Sequence, residues 1–207
     1  MRIVFFGTPL FAVPSLKALI QAGEEVSAVV TQPDRKKGRG HLLSQSPVKE
    51  LAVKNGINAL QPEKMNDAAF LNELSSIKPE LIAVVAYGKI LTEEILRLPE
   101  LGCINVHASL LPKYRGAAPV AWAIINGEKK TGITTMLMDK GLDTGDILLQ
   151  EELQIRDDDT TETLSIRLSE LGASLLLKTI NRIKDGSLKP QKQSEEAAYA
   201  PIIKKED

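Results

Sequence analysis

The sequence predicts an α/β fold built on a mostly parallel sheet with helices on both faces. Short β-branched runs alternate with helical patterns through the first 110 residues, as strand-helix-strand units do. Leu81 to Ala86 (L-I-A-V-V-A) is continuously apolar, as a central parallel strand buried on both faces must be. The opening run, Arg2 to Phe6, ends in Gly7-Thr8-Pro9 and passes into helical spacing from Pro14 to Ala22, closed by Gly23: strand, tight turn, helix.

The remaining elements follow in order. G-T-P-L-F-A lacks both G-x-G-x-x-G and G-x-x-x-x-G-K-[ST], so the scaffold reads as Rossmann-like without a dinucleotide or nucleoside triphosphate. Val26 to Val30 is a second strand. Thr31 to Ser46 reads as a loop whose Arg35, Lys36, Lys37 and Arg39 form the only dense basic patch of the first half; on composition alone, such a loop is a solvated connection. Pro47 to Asn55 is a helix stopped by Asn55-Gly56, Ile57 to Leu60 a short strand, and Asn66 to Ser76 an amphipathic helix. Tyr87-Gly88-Lys89 follows the central strand at its C-terminal end, where ligands gather in open α/β sheets; it offers either backbone groups to a planar ligand or a plain strand-to-helix turn. Thr92 caps a short helix with Glu93 and Glu94 in its first turn. Ala117 to Asn126 is a helix that puts Trp122 in the core. Thr131 to Met138 and Ile147 to Ile155 are strands flanking an acidic loop. Thr160 to Ile183 is the longest helix, with Leu164, Leu168, Leu171 and Leu175 at helical spacing. From Gly186 the chain is polar and extended.

With 207 residues and 43% hydrophobic content, one well-packed domain plus a tail is the simplest account. A net charge of −1 supplies no global positive field, so nucleic-acid binding requires a local patch. One Cys excludes an internal disulfide, and with two His a Cys/His zinc site is not expected; the catalytic reading below needs no metal. Neither a run of 18 apolar residues nor a signal peptide is present, which predicts a cytoplasmic protein.

Reactive groups are densest from Cys103 to Gly116 (C-I-N-V-H-A-S-L-L-P-K-Y-R-G). Alternation along a strand end puts Asn105 and His107 on one face. Asn supplies a neutral donor and His a proton that moves near neutral pH, a pair suited to polarising a carbonyl and stabilising its tetrahedral intermediate. Pro112 and Gly116 bracket a turn expected to carry Lys113, Tyr114 and Arg115 across the mouth of the site. M-D-K-G-L-D-T-G-D, Met138 to Asp146, is a loop that could deliver a carboxylate to the imidazole; spacing leaves Asp139, Asp143 and Asp146 all open. Read blandly, the His is a satisfied structural residue and the three Asp are turn formers.

N-x-H followed by S-L-L-P-K-Y-R-G and then G-L-D-T-G-D resembles the folate-dependent formyltransferases. The resemblance runs from R-I-V-F-F-G-T-P through T-Q-P-D-R-x-x-G-R-G and V-V-A-Y-G to Y-A-P-x-I, and is strongest to the members that act on tRNA. It implies the formyltransferase fold, with catalytic Asn105, His107 and Asp143, and a tetrahydrofolate-binding segment Ser109, Leu110, Leu111 and Pro112. It also implies a tRNA-facing role for the basic insertion, with Arg39 of G-R-G as its contact. The implied reaction moves the formyl group of 10-formyltetrahydrofolate to the amino group of initiator methionyl-tRNA, with no metal and no protein partner, in a monomer. Relatives of this kind continue into a C-terminal barrel domain, so residues 1–189 are expected as the catalytic domain and 190–207 as a tail or linker towards a barrel absent here. Two other functions share the features: a folate formyltransferase for a nucleotide or amino-sugar amine, and a non-enzymatic ligand-binding domain on a Rossmann-like scaffold.

Overall fold

The computed structural model describes residues 1–37 and 42–204. The chain divides into two compact units, Met1–Ile104 and Asn105–Asp207.

In the first unit β1 (Arg2–Gly7), β2 (Glu25–Val30), β5 (Ala59–Leu60) and β6 (Leu81–Val85) are parallel, β1 pairing with β2 and β6, and β2 with β5. The apolar runs explain the pairing: Ile3 to Phe6 and Leu81 to Ala83 are fully buried, as strands covered on both faces must be. Three helices alternate with these strands: α1 (Val13–Gln21), entered through a 3-10 turn over Leu10–Ala12; α2 (Pro47–Lys54), capped by Ser46; and α3 (Ala68–Ile77), capped by Asp67. The short α4 (Glu93–Leu96) is capped by Thr92, as its sequence predicts. The Thr31 to Ser46 stretch departs from expectation. It is not merely a loop, because β3 (Arg35–Lys37) and β4 (Leu42–Ser44) pair antiparallel, with Arg35 opposite Ser44. Charged, Gly-interrupted sequence has low strand propensity, and pairing with a partner strand overrides it. Gly38, Arg39, Gly40 and His41 lie outside the described residues.

Strand β7 (Cys103–His107) begins in the first unit and delivers Asn105 and His107 to the second. There β8 (Lys130–Leu137) and β9 (Ile147–Gln154) pair antiparallel, joined by the acidic loop. Helix α5 is Pro119–Ile125. Helix α6 (Thr161–Lys184) starts at a Thr160/Thr163 capping box and buries Leu164, Leu168, Gly172, Leu175 and Leu176, while Leu171 is only half-buried. Gly172 sits in that stripe because a Cβ there would press the Val106 side chain at 3.0 Å. Trp122, expected in the core, is half-buried; it packs on the Tyr114, Ala123 and Ala200 cluster and donates Nε1–H to the Pro201 carbonyl. An indole with a polar edge satisfies itself at a boundary, where that edge finds an acceptor.

The extended segment after α6 is laid onto the second unit by backbone pairing. Gln191 and Ile147 exchange both hydrogen bonds, at 2.8 and 2.7 Å. Arg115 N–H donates to the Ala198 carbonyl at 2.8 Å, and Ala200 N–H to the Arg115 carbonyl at 2.7 Å. Among the described residues no helix is long and apolar enough to cross a membrane.

Candidate active site

Asn105, His107 and Asp143 come together within the second unit. Alternation along β7 turns both polar side chains to one side, and the β8–β9 loop brings the carboxylate to them. Asn105 Nδ2 donates to Asp143 Oδ1 at 3.3 Å, and His107 Nδ1 lies 3.6 Å from Asp143 Oδ2. Gly116 N–H donates to Oδ2 at 2.9 Å. His107 is 5% exposed, and its Nε2 is 2.9 Å from the Tyr114 carbonyl oxygen. Both ring nitrogens thus face oxygen atoms.

The three acids of the loop separate by what they touch. Asp139 accepts from Gly141 N–H at 2.9 Å and Thr144 Oγ1–H at 2.7 Å, shaping the turn. Asp146 offers its backbone carbonyl to Leu137 N–H at 2.9 Å. Asp143 faces the imidazole, from a backbone at φ +52°, in the left-handed region that costs a non-glycine residue about 1–2 kcal/mol. Gly145 has to be glycine for space: a Cβ there would collide with the Leu137 carbonyl oxygen.

The Pro112 to Gly116 turn does not present three side chains outward. Lys113 is exposed, but Tyr114 and Arg115 are 7% and 8% exposed. The Tyr114 hydroxyl donates to Glu128 at 2.8 Å and accepts from Asn126 at 3.0 Å; burial pushes its pKa up, and Glu128 adds to that. Tyr114 sits at φ +60° and Gly116 at φ +122°, where a Cβ would lie 2.8 Å from the Ala200 carbonyl oxygen. These backbone conformations place the Tyr114 carbonyl and the Gly116 N–H on the His107 and Asp143 side chains.

Ser109 to Pro112 is held from behind. Thr134 Oγ1–H donates to the Ser109 carbonyl at 2.7 Å and accepts from Leu111 N–H at 3.0 Å, while Gln150 Nε2–H donates to the Leu111 carbonyl at 2.8 Å. Ser109 and Leu111 side chains are buried, and Leu110 and Pro112 are half-buried. In the first unit, the Tyr87 carbonyl already accepts from Thr8 Oγ1–H at 3.1 Å and Gln32 Nε2–H at 3.0 Å, so this backbone group is engaged within the turn. Arg39 lies outside the described residues. Among the described residues no group of three His, Cys, Asp or Glu is arranged to hold a metal ion.

Residue-by-residue reading missed Thr134, Gln150, Gln193 and the backbone groups of Tyr114 and Gly116. A Gln or Thr in a strand or tail carries no local mark of its partner, and backbone polarity is invisible in sequence. The G after K-Y-R was the one available signal.

A relative from Caldanaerobacter subterraneus subsp. tengcongensis, named methionyl-tRNA formyltransferase, is 64% identical over 208 residues, covering 100% of this chain and 67% of its own length. One of the same name from Thermodesulfovibrio yellowstonii is 58% identical over 205 residues, covering 99% of this chain and 67% of its own. The chain spans about two thirds of the length of the curated relatives it matches. Among solved structures, the sugar 3N-formyl transferase WlaRD, crystallised in the presence of dTDP and 5-N-formyl-THF, superposes with a TM-score of 0.73 at 25% identity, covering 97% of this chain and 69% of that one. The formyl transferase family profile matches residues 1–180, and the chain belongs to the formyl transferase family.

Proposed function

We propose that the chain transfers the formyl group of 10-formyltetrahydrofolate to the free amino group of initiator methionyl-tRNA. The observation that carries the chemistry is the convergence of Asn105 Nδ2 and His107 Nδ1 on one carboxylate, that of Asp143. Two N–H donors aimed at anionic oxygen are the donor set that acyl transfer needs for the charge developing on a carbonyl oxygen. The 10-formyl folate supplies the acyl carbon when bound. Asn105 and His107 stabilise the oxygen of that carbon, and Asp143 orients His107 and assists proton movement between amine and leaving group. The Asn105 amide fits the task because its 3.3 Å contact to Asp143 is long and exchangeable for a substrate oxygen. The half-buried Leu110 and Pro112 side chains are the parts of that segment available to folate.

The acceptor is favoured by relatives named methionyl-tRNA formyltransferase at 58–64% identity, against 25% for the sugar formyl transferase. Arg39 as the tRNA contact rests on the resemblance of its loop alone. The test is formylation of methionyl-tRNA against a nucleotide-linked amino sugar and a free small amine, with the wild type and Arg39→Ala. Methionyl-tRNA should be the preferred substrate, and the variant should lower kcat/KM for it alone, with the slope of log K against log salt flatter by about one. Preference for the amino sugar would overturn the acceptor assignment; equal slowing of all amines would remove Arg39 from tRNA contact.

A further inference from the structure

Gln193, in the extended segment after α6, uses every hydrogen-bonding position of its amide within the second unit. Its Oε1 accepts from Arg115 Nε–H at 3.0 Å and Arg115 Nη2–H at 2.7 Å. Its Nε2 donates to the Asp143 carbonyl at 2.9 Å and to the Gly145 carbonyl at 2.7 Å. Two acceptor lone pairs and two donors are the whole inventory of a glutamine amide. Arg115 is buried, and among the described residues no carboxylate lies within ion-pair distance of it, so this neutral amide is the direct side-chain partner of a buried cation. A guanidinium on the oxygen polarises the amide and strengthens donation from its nitrogen. The strengthened donors land on either side of Thr144, on the backbone of the loop that carries Asp143 at φ +52°.

We infer that Gln193 is a positioning residue for Asp143: it transmits the Arg115 charge to the carbonyls of residues 143 and 145 and holds the left-handed backbone that aims the Asp143 carboxylate at His107. This rests on the role proposed above for Asp143. It assigns a function to a segment that the family profile, ending at residue 180, does not cover.

Gln193→Glu separates the two ends of the amide. A carboxylate keeps an acceptor for Arg115 and adds an ion pair, but it removes both donors and turns an oxygen towards two carbonyls. With the full chain, kcat should fall on the order of tenfold to 10²-fold, as expected for misplacement of a catalytic group by a fraction of an ångström or more. KM for 10-formyltetrahydrofolate and the melting temperature should stay near wild type. Amide hydrogen exchange over residues 139–146 should accelerate by about tenfold or more, with α6 unchanged, a readout that needs no substrate. Should the glutamate variant not fold, Gln193→Met removes the donors without adding charge but also takes the acceptor from Arg115, so the same loss of kcat and the same faster exchange over residues 139–146 are expected with a lowered melting temperature. Asp143→Asn is the reference: if it turns over normally, the role of Asp143 fails while the exchange result still decides whether Gln193 holds the loop. If Asp143→Asn is impaired and Gln193→Glu is not, the inference is overturned. It is also overturned if the two changes combined lose activity additively, or if exchange rises throughout the second unit.

Discussion

In the first unit β6 buries all five side chains from Leu81 to Val85, and each is apolar. The turn that follows β7 in the second unit also hides its side chains, but Ser109, Tyr114 and Arg115 each require a partner: the Lys113 carbonyl, Glu128 with Asn126, and Gln193. Burial is comparable and its basis is not. Apolar burial is non-directional, so a strand such as β6 tolerates changes of shape and reports them as stability. Polar burial is directional and conditional on every partner, so the second unit concentrates its tolerance limits at a few atoms, close in sequence to the residues proposed to carry the chemistry.

The sharpest way to break this comparison is at the site. His107→Ala and Asp143→Asn should each lower kcat on the order of 10³-fold, and Asn105→Ala roughly 10²-fold, with the folded fraction little changed. The His107/Asp143 double variant should cost little more than the worse single, because groups acting as a unit are non-additive. Steady-state kinetics on the four proteins decides it: additive losses would mean that the two side chains act separately, and Asp139→Asn as damaging as Asp143→Asn would shift the assignment within the loop.

Ile82→Ala should give the converse result, a loss of about 2–5 kcal/mol in unfolding free energy with kcat per folded molecule retained. Denaturant titration with active-site quantification checks it, and a kcat loss of tenfold in correctly folded protein would show that the first unit is not merely scaffold. Gly145→Ala tests where the two kinds of constraint meet. The added methyl meets the Leu137 carbonyl, so a cost of about 1–3 kcal/mol is expected together with reduced kcat, because the displaced loop also carries Asp143. Stability loss with unaltered kcat would detach the packing of the loop from its catalytic placement.

The smallest effect belongs to polar structure in the first unit. Lys49 Nζ lies 2.6 Å from both Asp34 Oδ2 and Gln61 Oε1, and Gln61 Nε2–H donates to Asp34 Oδ1 at 2.8 Å. The Lys49 hydrogen bond, with Gln61 adding to it, holds the Asp34 carboxyl below the usual carboxylate range. A depressed folded value contributes stability that is present above the unfolded value of about 3.9 and lost as pH falls through the folded one. Asp34→Asn should therefore flatten stability against pH below about 4 by less than about 1 kcal/mol, leaving the curve near neutrality parallel to wild type. Thermal melts across that range test it, and an unaltered acid limb would remove Asp34 from the pH dependence.

Sequence alone determined the strand and helix order because the first unit follows hydrophobic period, and a period is local. Leu81 to Ala86, the Thr92 cap and the leucine stripe of α6 are each legible within a window of a few residues. It also placed Asn105 and His107 on one face of β7, since alternation along a strand is a property of the backbone. Tertiary structure decided which acid meets the imidazole: Asp139, Asp143 and Asp146 are equivalent in composition, and only the left-handed backbone at 143 turns a carboxylate to the ring. It decided too that basic residues after Asp34 form a strand, and that Tyr114 and Arg115 turn inward. Gln193 was beyond local reading for the same reason. Its partners lie 48 to 78 residues away, and a polar side chain acquires its role from the acceptors and donors that folding brings to it, none of which its neighbours in sequence specify.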